Sequence, residues 1–387
     1  MAQPKDFGFG EDEQLVRDSA RKFLSENAGI ERIRRLVAGD HREAYETPTP
    51  PLAHDEALWR QIVDLGWTGL AVPVEHGGAG MKMVAVAGLA EEVGRAALPS
   101  PLIATLNATC VLREASSPGA ASSLAKISAG EAATLAITDA DGSWSADDTG
   151  VTTKSAGEGV VLNGTASFVQ DARKASFFVV SARGPEGVGL YAVRADAPGL
   201  SIHPDHIVDL TRDQARVELR DVRVAGGDVV ARAGEGAAVL RRAMPALLVI
   251  VAADLCGTGE WLLQTTTEYA KVRKQFDHPI GFFQGVKFPL VNVMVQIDEA
   301  RSLVYAAACA IDTEPEHAER YARMAKASAS DMGVHAGGRA VQLHGGIGFT
   351  WECDVHIYFK RVQHNAALWG DGTFQRTALA ALMDRAA

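Results

Sequence analysis

The first third of the chain carries apolar residues at helical spacing. Two sets have the spacing of one face of a helix: Leu15, Ala20, Phe23 and Leu24, then Leu58, Ile62, Val63 and Trp67. Three prolines in residues 46–51 and three glycines in residues 73–81 interrupt this pattern, as expected of loops between helices. We predict a helical unit over residues 1–132.

The middle of the chain changes to short segments rich in valine, phenylalanine and tyrosine, separated by glycine, aspartate and proline. Such segments are typical of β-strands. The predicted strands are Thr134–Thr138, Gly159–Leu162, Ala175–Ser181, Gly187–Val193 and Gln214–Val224. Loops are predicted over Pro198–Pro204 and around Asp141. These predictions define a β unit over residues 133–230.

Helical patterns return in residues 231–387. A broad apolar stripe runs from Leu240 to Leu255, and further helices are predicted over Glu260–Val272, Gly285–Ile311, Glu314–His344 and Asp354–Leu368. The order of helices, strands and helices favours an α+β fold with segregated layers. No G-x-G-x-x-G sequence follows a predicted strand, which disfavours a Rossmann domain.

Composition and charge argue against several classes of protein. The formal net charge of the 387 residues is -10 and the basic residues are scattered, which argues against nucleic-acid binding. The four cysteines form no C-x-x-C pair and no zinc spacing with histidine, so we expect no metal and a reduced, cytoplasmic setting. The longest apolar run, Ala243–Leu255, is shorter than the roughly 18 residues of a membrane span. The N-terminus shows no secretory signal.

The segment Tyr269–Gln284 combines basic and aromatic residues. It is predicted to end a helix at Pro279 and to restart one after Phe283. Arg273, one helical turn before Phe276, could meet a pyrophosphate while the ring packs beneath a cofactor. The alternative is that its basic residues offset the dipole at a helix C-terminus.

The segment Gln342–Phe349 is a glycine-rich break between two predicted helices. Glycines let the backbone approach a phosphate closely and leave amides free to donate. The alternative is a tight turn between helices.

Together, these two segments resemble the acyl-CoA dehydrogenase family, whose C-terminal domain carries R-x-x-F-G-x-P-I-x-x-F-Q and then Q-x-x-G-G-x-G-F/Y. The matching residues are Arg273, Phe276, Pro279, Ile280, Phe283, Gln284, Gln342, Gly345, Gly346, Gly348 and Phe349. Asp277 stands where the family has glycine. The resemblance implies an N-terminal helical domain, a middle β-barrel or sandwich domain and a C-terminal four-helix bundle.

In this family the matching segments hold the FAD of a neighbouring subunit, which implies a tetramer. The residues that carry over are Arg273, Gln275, Phe276, Phe283, Gln284, Gln342, Gly345 and Gly346. His344 is better interpreted as a packed histidine.

Two segments of the β unit are also similar to the family. Ala136–Ser143 resembles its A-x-T-E-P-x-A-G-S loop and implies FAD contacts by Thr138 and Ser143. Gly164–Ala172 resembles G-x-K-x-W-I-T-N-G, which implies that Phe168, Val169 and Gln170 lie at the isoalloxazine ring.

The family's catalytic base is a glutamate in one of two places. Counting back from Arg273 puts the first place at Leu247, followed by Leu248, which suggests only an apolar wall of the substrate pocket. At the second place, one alignment assigns the base to Asp371 and an FAD contact to Thr373, whereas another puts Trp369 there. A G-D-G turn, with residues suited to left-handed backbone, is the competing interpretation of Asp371.

Arg212 is a second substrate candidate, because a guanidinium pairs well with a CoA phosphate; the alternative is an exposed turn arginine.

The resemblance implies FAD-dependent oxidation of an acyl-CoA to its 2,3-enoyl form, with electrons passing to an electron-transfer flavoprotein. The stretch from His344 to Arg361 further resembles a bacterial branch that includes steroid side-chain degraders, some of which pair two unlike subunits. The chain could therefore form a homotetramer, or a heterotetramer as the partner that lacks a base. A flavin oxidase or monooxygenase on the same fold is the third alternative.

Overall fold

The computed structural model describes residues 7–38 and 46–386. Residues 1–6, 39–45 and 387, which fall in the predicted first and third units, lie outside the described residues. The chain begins with helices α1 (Glu11–Asn27), α2 (Ile30–Ala38), α3 (Glu56–Asp64), α4 (Met83–Arg95), α5 (Leu102–Arg113) and α6 (Pro118–Ser128). Side-chain caps start two of them: Asp55 accepts the Leu58 amide at 3.0 Å, and Ser117 accepts the Ala120 amide at 3.1 Å.

A single sheet follows, made of β1 (Ala133–Ala136), β2 (Val151–Ala156), β3 (Gly159–Gln170), β4 (Phe177–Gly184), β5 (Gly187–Arg194), β6 (Leu200–Pro204), β7 (Gln214–Val224) and β8 (Val229–Ala231). The strand order is β6-β7-β3-β2-β4-β5-β8, and β1 pairs in parallel with β4. Alternate residues of β4 face opposite sides, as strand geometry requires. Phe177 and Val179 join the core shared with the helices, whereas Phe178 and Val180 join a core inside the β unit.

The last part is again helical: α7 (Gly236–Val272), α8 (Gln284–Thr313), α9 (Pro315–His344), α10 (Val355–Ala367) and α11 (Gly372–Ala386). The short strands β9 (Lys274–Gln275) and β10 (His278–Pro279) form a hairpin between α7 and α8. Helix α7 is long and apolar enough to cross a membrane, but 83% of its most apolar window is buried, as in a core helix. The predicted α+β fold class is confirmed.

Predictions of two elements outside the candidate site are wrong. Leu200–Pro204 is an edge strand and not a loop; its residues are only half-buried or exposed, so they lack the apolar density of a central strand. The apolar stripe and Glu260–Val272 form one continuous helix, α7, although Pro245 lies inside it. The extensive burial of helix α7 outweighs the cost of about 3 kcal/mol for an interior proline. The boundaries at 132/133 and 230/231 stay predictions.

Candidate active site

A cavity of about 670 Å³ lies between the loop that connects β1 to β2 and the C-terminal helices. Its wall includes six large or apolar side chains: Trp144, Met244, Trp369, Phe374, Ala378 and Leu382. The rings of Trp144 and Trp369 meet edge to face, with centroids 5.0 Å apart. Such a wall suits an apolar ligand.

Three carboxylates also line this cavity, and they differ in their partners. Asp147 pairs with Arg241 at 2.6 Å, and Glu319 pairs with Arg323 at 2.7 Å. Asp371 forms no ion pair within the part of the chain that the structure describes. Of the three, Asp371 is therefore the carboxylate that forms no ion pair with the described residues.

Asp371 caps helix α11. One carboxylate oxygen accepts the Phe374 amide at 2.8 Å, and the side chain is exposed. The left-handed residues of this turn are Trp369 (φ 61°) and Gly370 (φ 92°). Gly370 therefore has the backbone expected of a G-D-G turn, whereas Asp371 itself is not left-handed. Thr373, the candidate FAD contact, lies exposed in the first turn of α11.

The candidate flavin-ring residues sit on a bulge of β3. The register with β7 shifts between Ala166 and Val169, and Phe168 adopts φ 57° between them. Phe168 is 38% exposed and its ring lies over Gly142, where an added Cβ would be 3.4 Å away. The Val169 side chain is instead 1% exposed in the β core, so its predicted contact with the ring can involve only its backbone.

Gln170 is fixed by two side chains that sequence reasoning missed. Its amide nitrogen donates to the Gln214 side chain at 2.9 Å and to the Phe168 carbonyl at 3.1 Å. Its oxygen lies 2.7 Å from His364 Nε2, which must then be the donor. Burial lowers the pKa of His364 to about 4, so the ring is neutral near pH 7. No spacing motif marked either residue.

The loop that carries Thr138 and Ser143 is organised by Asp139. The Asp139 carboxylate accepts the Ser143 amide at 3.0 Å, and the Thr138 carbonyl accepts the Ser167 amide at 2.8 Å. The Ser143 hydroxyl donates to Asp148 at 2.7 Å, and its oxygen accepts the Ser145 amide at 3.2 Å. Thr138 is buried, so the two predicted FAD contacts differ in exposure.

The predicted helix through Pro279 is wrong, because α7 ends at Val272 and the chain forms the β9–β10 hairpin. Phe276 (φ 51°) and Asp277 (φ 62°) form its two-residue tip. Aspartate tolerates this backbone better than most residues, so it replaces the family's glycine without loss of the turn. Phe276 is 85% exposed at the tip.

The glycine-rich segment meets this hairpin end of the molecule. Helix α9 ends at His344, and Gly345 (φ 66°) and Gly346 are exposed with open space around their α-carbons. The His344 ring stacks on Tyr269 at 4.3 Å, and its Nδ1 lies 2.9 Å from the Ala340 carbonyl, as a packed histidine should. Gln342 is exposed in the last turn of α9.

The other candidate FAD residues at the hairpin are accessible to solvent. Arg273, Gln275 and Gln284 are exposed, and Phe283 is half-buried.

The candidate FAD residues form two sets at different levels of α7. The Gln170 set is Phe168, Val169 and Gln170, and the hairpin set is Arg273, Gln275, Phe276, Phe283 and Gln284. Gln170 contacts His364, and the adjacent Asn365 donates to Asp254 in the middle of α7 at 2.7 Å. Arg273 lies 19 residues beyond Asp254, or about 28 Å along a helix. The hairpin set is thus remote from the Gln170 set of its own chain.

The three candidate substrate residues are buried. Arg212 is 7% exposed and donates to Asp254 at 2.8 Å and to Asn365 at 3.0 Å, so it is neither a phosphate ligand nor an exposed turn residue. Leu247 and Leu248 are 0% exposed in the core and are not part of the cavity wall.

Asp254 is the centre of a buried ionic network. Arg361 approaches its two oxygens at 2.9 and 2.6 Å, and Arg361 also donates to Thr211 at 2.8 Å. Although burial alone would raise it, the charges of Arg361 and Arg212 hold the pKa of Asp254 below its usual value. The network joins the β unit to α7 and α10. In the sequence, Asp254 stands out only as an interruption of an apolar run.

These residues fit an FAD. Exposed glycine amides and Arg273 suit its phosphates, and the open face of Phe168 beside the Gln170 amide suits its ring. The residues that the structure describes contain no cluster of histidine, cysteine and carboxylate groups able to hold a metal ion.

Comparisons with known proteins agree with this arrangement. Family models for the acyl-CoA dehydrogenase N-terminal and C-terminal domains match residues 10–131 and 234–383. The chain is 30% identical to acyl-CoA dehydrogenase IpdE2 of Mycobacterium tuberculosis over 92% of this chain and 93% of that one. It is 26% identical to a 3-(aryl)acrylate reductase of Clostridium sporogenes over 96% and 98%.

Solved structures are similar over nearly the whole chain. The structure of a Tcur3481-Tcur3483 steroid ACAD variant has a TM-score of 0.86 at 28% identity, covering 98% of this chain and 99% of that one. The ChsE4-ChsE5 complex of Mycobacterium tuberculosis, at 24% identity and a TM-score of 0.83 over 98% and 99%, shares the fold. The chain therefore belongs to the acyl-CoA dehydrogenase family.

Proposed function

We propose that this chain binds FAD and oxidises an acyl-CoA thioester to its 2,3-enoyl form, with Asp371 as the base. The observation that carries the proposal is that Asp371, alone among the cavity carboxylates, forms no ion pair with the described residues. FAD, when bound, supplies the hydride acceptor, and an electron-transfer flavoprotein then takes the electrons.

The position of Asp371 supports its role as a base. One carboxylate oxygen caps helix α11, which leaves the other to accept the proton from the carbon next to the thioester. Trp144 and Trp369 form an apolar wall beside it.

A tetramer follows from the same proposal. The Gln170 set and the hairpin set are too far apart to serve one flavin, so each flavin would take its hairpin residues from a neighbouring subunit. Large apolar side chains are exposed on the hairpin and along α8, as expected of an interface: Phe276, Phe282, Phe288, Val291, Met294 and Val295. All four cysteines are free thiols, which is consistent with a cytoplasmic protein.

The second candidate is a partner subunit in a heterotetramer. Leu247 stands at one of the family's two base positions and is fully buried, so that position supplies no base. One of the similar structures is a complex of two proteins, ChsE4 and ChsE5. In this candidate Asp371 is only a helix cap.

Anaerobic titration of the purified, FAD-loaded chain with a panel of acyl-CoA thioesters tests the proposal. We expect one or more thioesters to bleach the flavin and Asp371→Asn to abolish the bleaching while FAD stays bound. Asp384→Asn, an exposed change on the same helix, is the control and should bleach as the wild type does. Bleaching only after an unlike subunit is added would favour the second candidate, and stoichiometric peroxide in air would favour an oxidase.

A further inference from the structure

A fully buried lysine lies beneath the turn that carries the candidate base. Lys326 is 0% exposed in the middle of α9. Its ammonium group donates to the Ser330 hydroxyl at 2.9 Å, to the Ala366 carbonyl at 3.0 Å and to the Gly370 carbonyl at 2.9 Å. All three of its protons are thus used, and two of them bind the backbone of the turn between α10 and α11.

A lysine in this position needs a reason, because an ammonium group without an ion pair is costly to bury. Lys326 forms no ion pair within the described residues. Burial lowers the pKa of Lys326 to about 7, and the charges of Asp371 and Asp331 oppose that shift. Asp371 directly follows Gly370, whose carbonyl Lys326 binds, so its carboxylate lies near the ammonium group.

The turn has a backbone that must be held. Trp369 (φ 61°) and Gly370 (φ 92°) are both left-handed, which is unfavourable for a tryptophan. Lys326 binds the carbonyl of Ala366, which precedes this strained pair, and the carbonyl of Gly370, its second residue. The first belongs to the last turn of α10, where carbonyls lack helical partners and favour a cation.

The same helix also supports the other side of the turn. Arg323, one turn before Lys326, donates to the Gln375 side chain at 2.9 Å. Gln375 is buried and donates to the Trp369 carbonyl at 2.6 Å. Helix α9 therefore fixes the turn through both side chains.

We propose that Lys326 is a positioning residue, whose ammonium group fixes the turn from Ala366 to Gly370 and so sets where Asp371 and Trp369 stand in the cavity. The effect of Lys326 on the reaction rests on the proposed function, whereas its effect on the turn is independent of that function. Lys326 itself touches no substrate, because Trp369 and Asp371 line the cavity and Lys326 does not.

The test compares Lys326→Met, which keeps the bulk and removes every donor, with Lys126→Met, the same change at a partly exposed lysine outside the cavity. In the FAD-loaded protein, we expect faster amide deuterium exchange in residues 366–375 of the Lys326 variant alone. The maximal rate of flavin bleaching should fall by about 10- to 100-fold, because a shift of about 1 Å in a catalytic group has effects of this size. Apparent affinity for the acyl-CoA should change by less than about threefold, because Lys326 does not line the cavity.

A second comparison separates positioning from general damage. In the Asp371→Asn background, where no bleaching is expected, adding Lys326→Met should still accelerate amide exchange in residues 366–375 and leave exchange elsewhere unchanged, because Lys326 holds the turn through its backbone carbonyls. Lys326→Gln, which keeps two donors, should accelerate exchange less than methionine does and covers the case in which the methionine variant does not fold.

Unchanged exchange in residues 366–375 of a folded Lys326 variant would overturn the proposal. So would an equal fall in rate for Lys126→Met. If none of the acyl-CoA thioesters bleaches the flavin of the wild type, the proposed function is refuted. The exchange experiment would still decide the role of Lys326 in the turn.

Discussion

Replacing Asp254 with asparagine tests the buried network that joins the β unit to the helices. Asp254 is 0% exposed and accepts hydrogen bonds from Arg361, Arg212 and Asn365. Asparagine keeps the shape but removes the negative charge, so two buried guanidinium groups lose their counter-ion. Breaking a buried pair in this way costs about 3–5 kcal/mol of stability.

Asp147→Asn is the matched control. Asp147 pairs with Arg241 at 2.6 Å, the same distance as the shortest contact between Arg361 and Asp254, but both partners are more than half exposed. An exposed pair contributes about 1 kcal/mol or less. The two variants thus change the same chemical group at the same distance and differ in burial.

The assay is urea unfolding of the FAD-loaded protein, followed by circular dichroism. Because the pKa of Asp254 is lowered in the folded protein, its contribution is complete above the unfolded pKa of about 3.9 and is lost only as the pH falls through the folded pKa. The difference from Asp254→Asn should therefore stay constant from about pH 8 to about pH 5. A loss no larger than that of Asp147→Asn would refute the reasoning.

Three further predictions concern the flavin-facing residues. The pKa of His364 is lowered to about 4, so between about pH 4 and 6.5 the unfolded chain binds a proton that the folded chain does not. The free energy of unfolding should therefore fall as the pH drops through that window. His364→Gln should reduce this pH dependence in urea unfolding, and an unchanged dependence would contradict the assignment. Asp277→Gly should retain FAD, whereas Asp277→Val should lower hairpin stability by about 1–2 kcal/mol and release FAD more readily on dilution; equal retention by both would argue against the left-handed turn. Phe276→Ala should leave the unfolding midpoint of the monomer unchanged, because the ring is 85% exposed, but should weaken FAD retention; unaltered retention would remove the hairpin from the site.

Local patterns predicted the fold because helical and strand periodicity reflect which face of each element is buried. The apolar stripe from Leu240 to Leu255 indeed lies in the core helix α7. The edge strand Leu200–Pro204 was missed because a half-exposed strand needs no apolar run. Likewise, the predicted break between this stripe and Glu260–Val272 is absent, because residues 256–259 are buried and helical as well.

The candidate site was predicted only where it lies in short motifs. Phe168, Gln170 and Asp371 belong to contiguous segments with a recognisable spacing. The contacts that hold them do not, because His364 is 194 residues from Gln170 and Arg361 is 107 residues from Asp254. Such pairs are set by how elements pack, and a single sequence carries no sign of them.

The most direct test of the proposed activity is the anaerobic flavin titration of this chain expressed without any homologous subunit. We predict that the FAD-loaded protein alone is bleached by an acyl-CoA thioester and that Asp371→Asn, with FAD still bound, is not. Bleaching that survives in Asp371→Asn would contradict the assignment of the base. A wild type that binds FAD yet is bleached by no thioester would contradict the proposed activity of the chain alone.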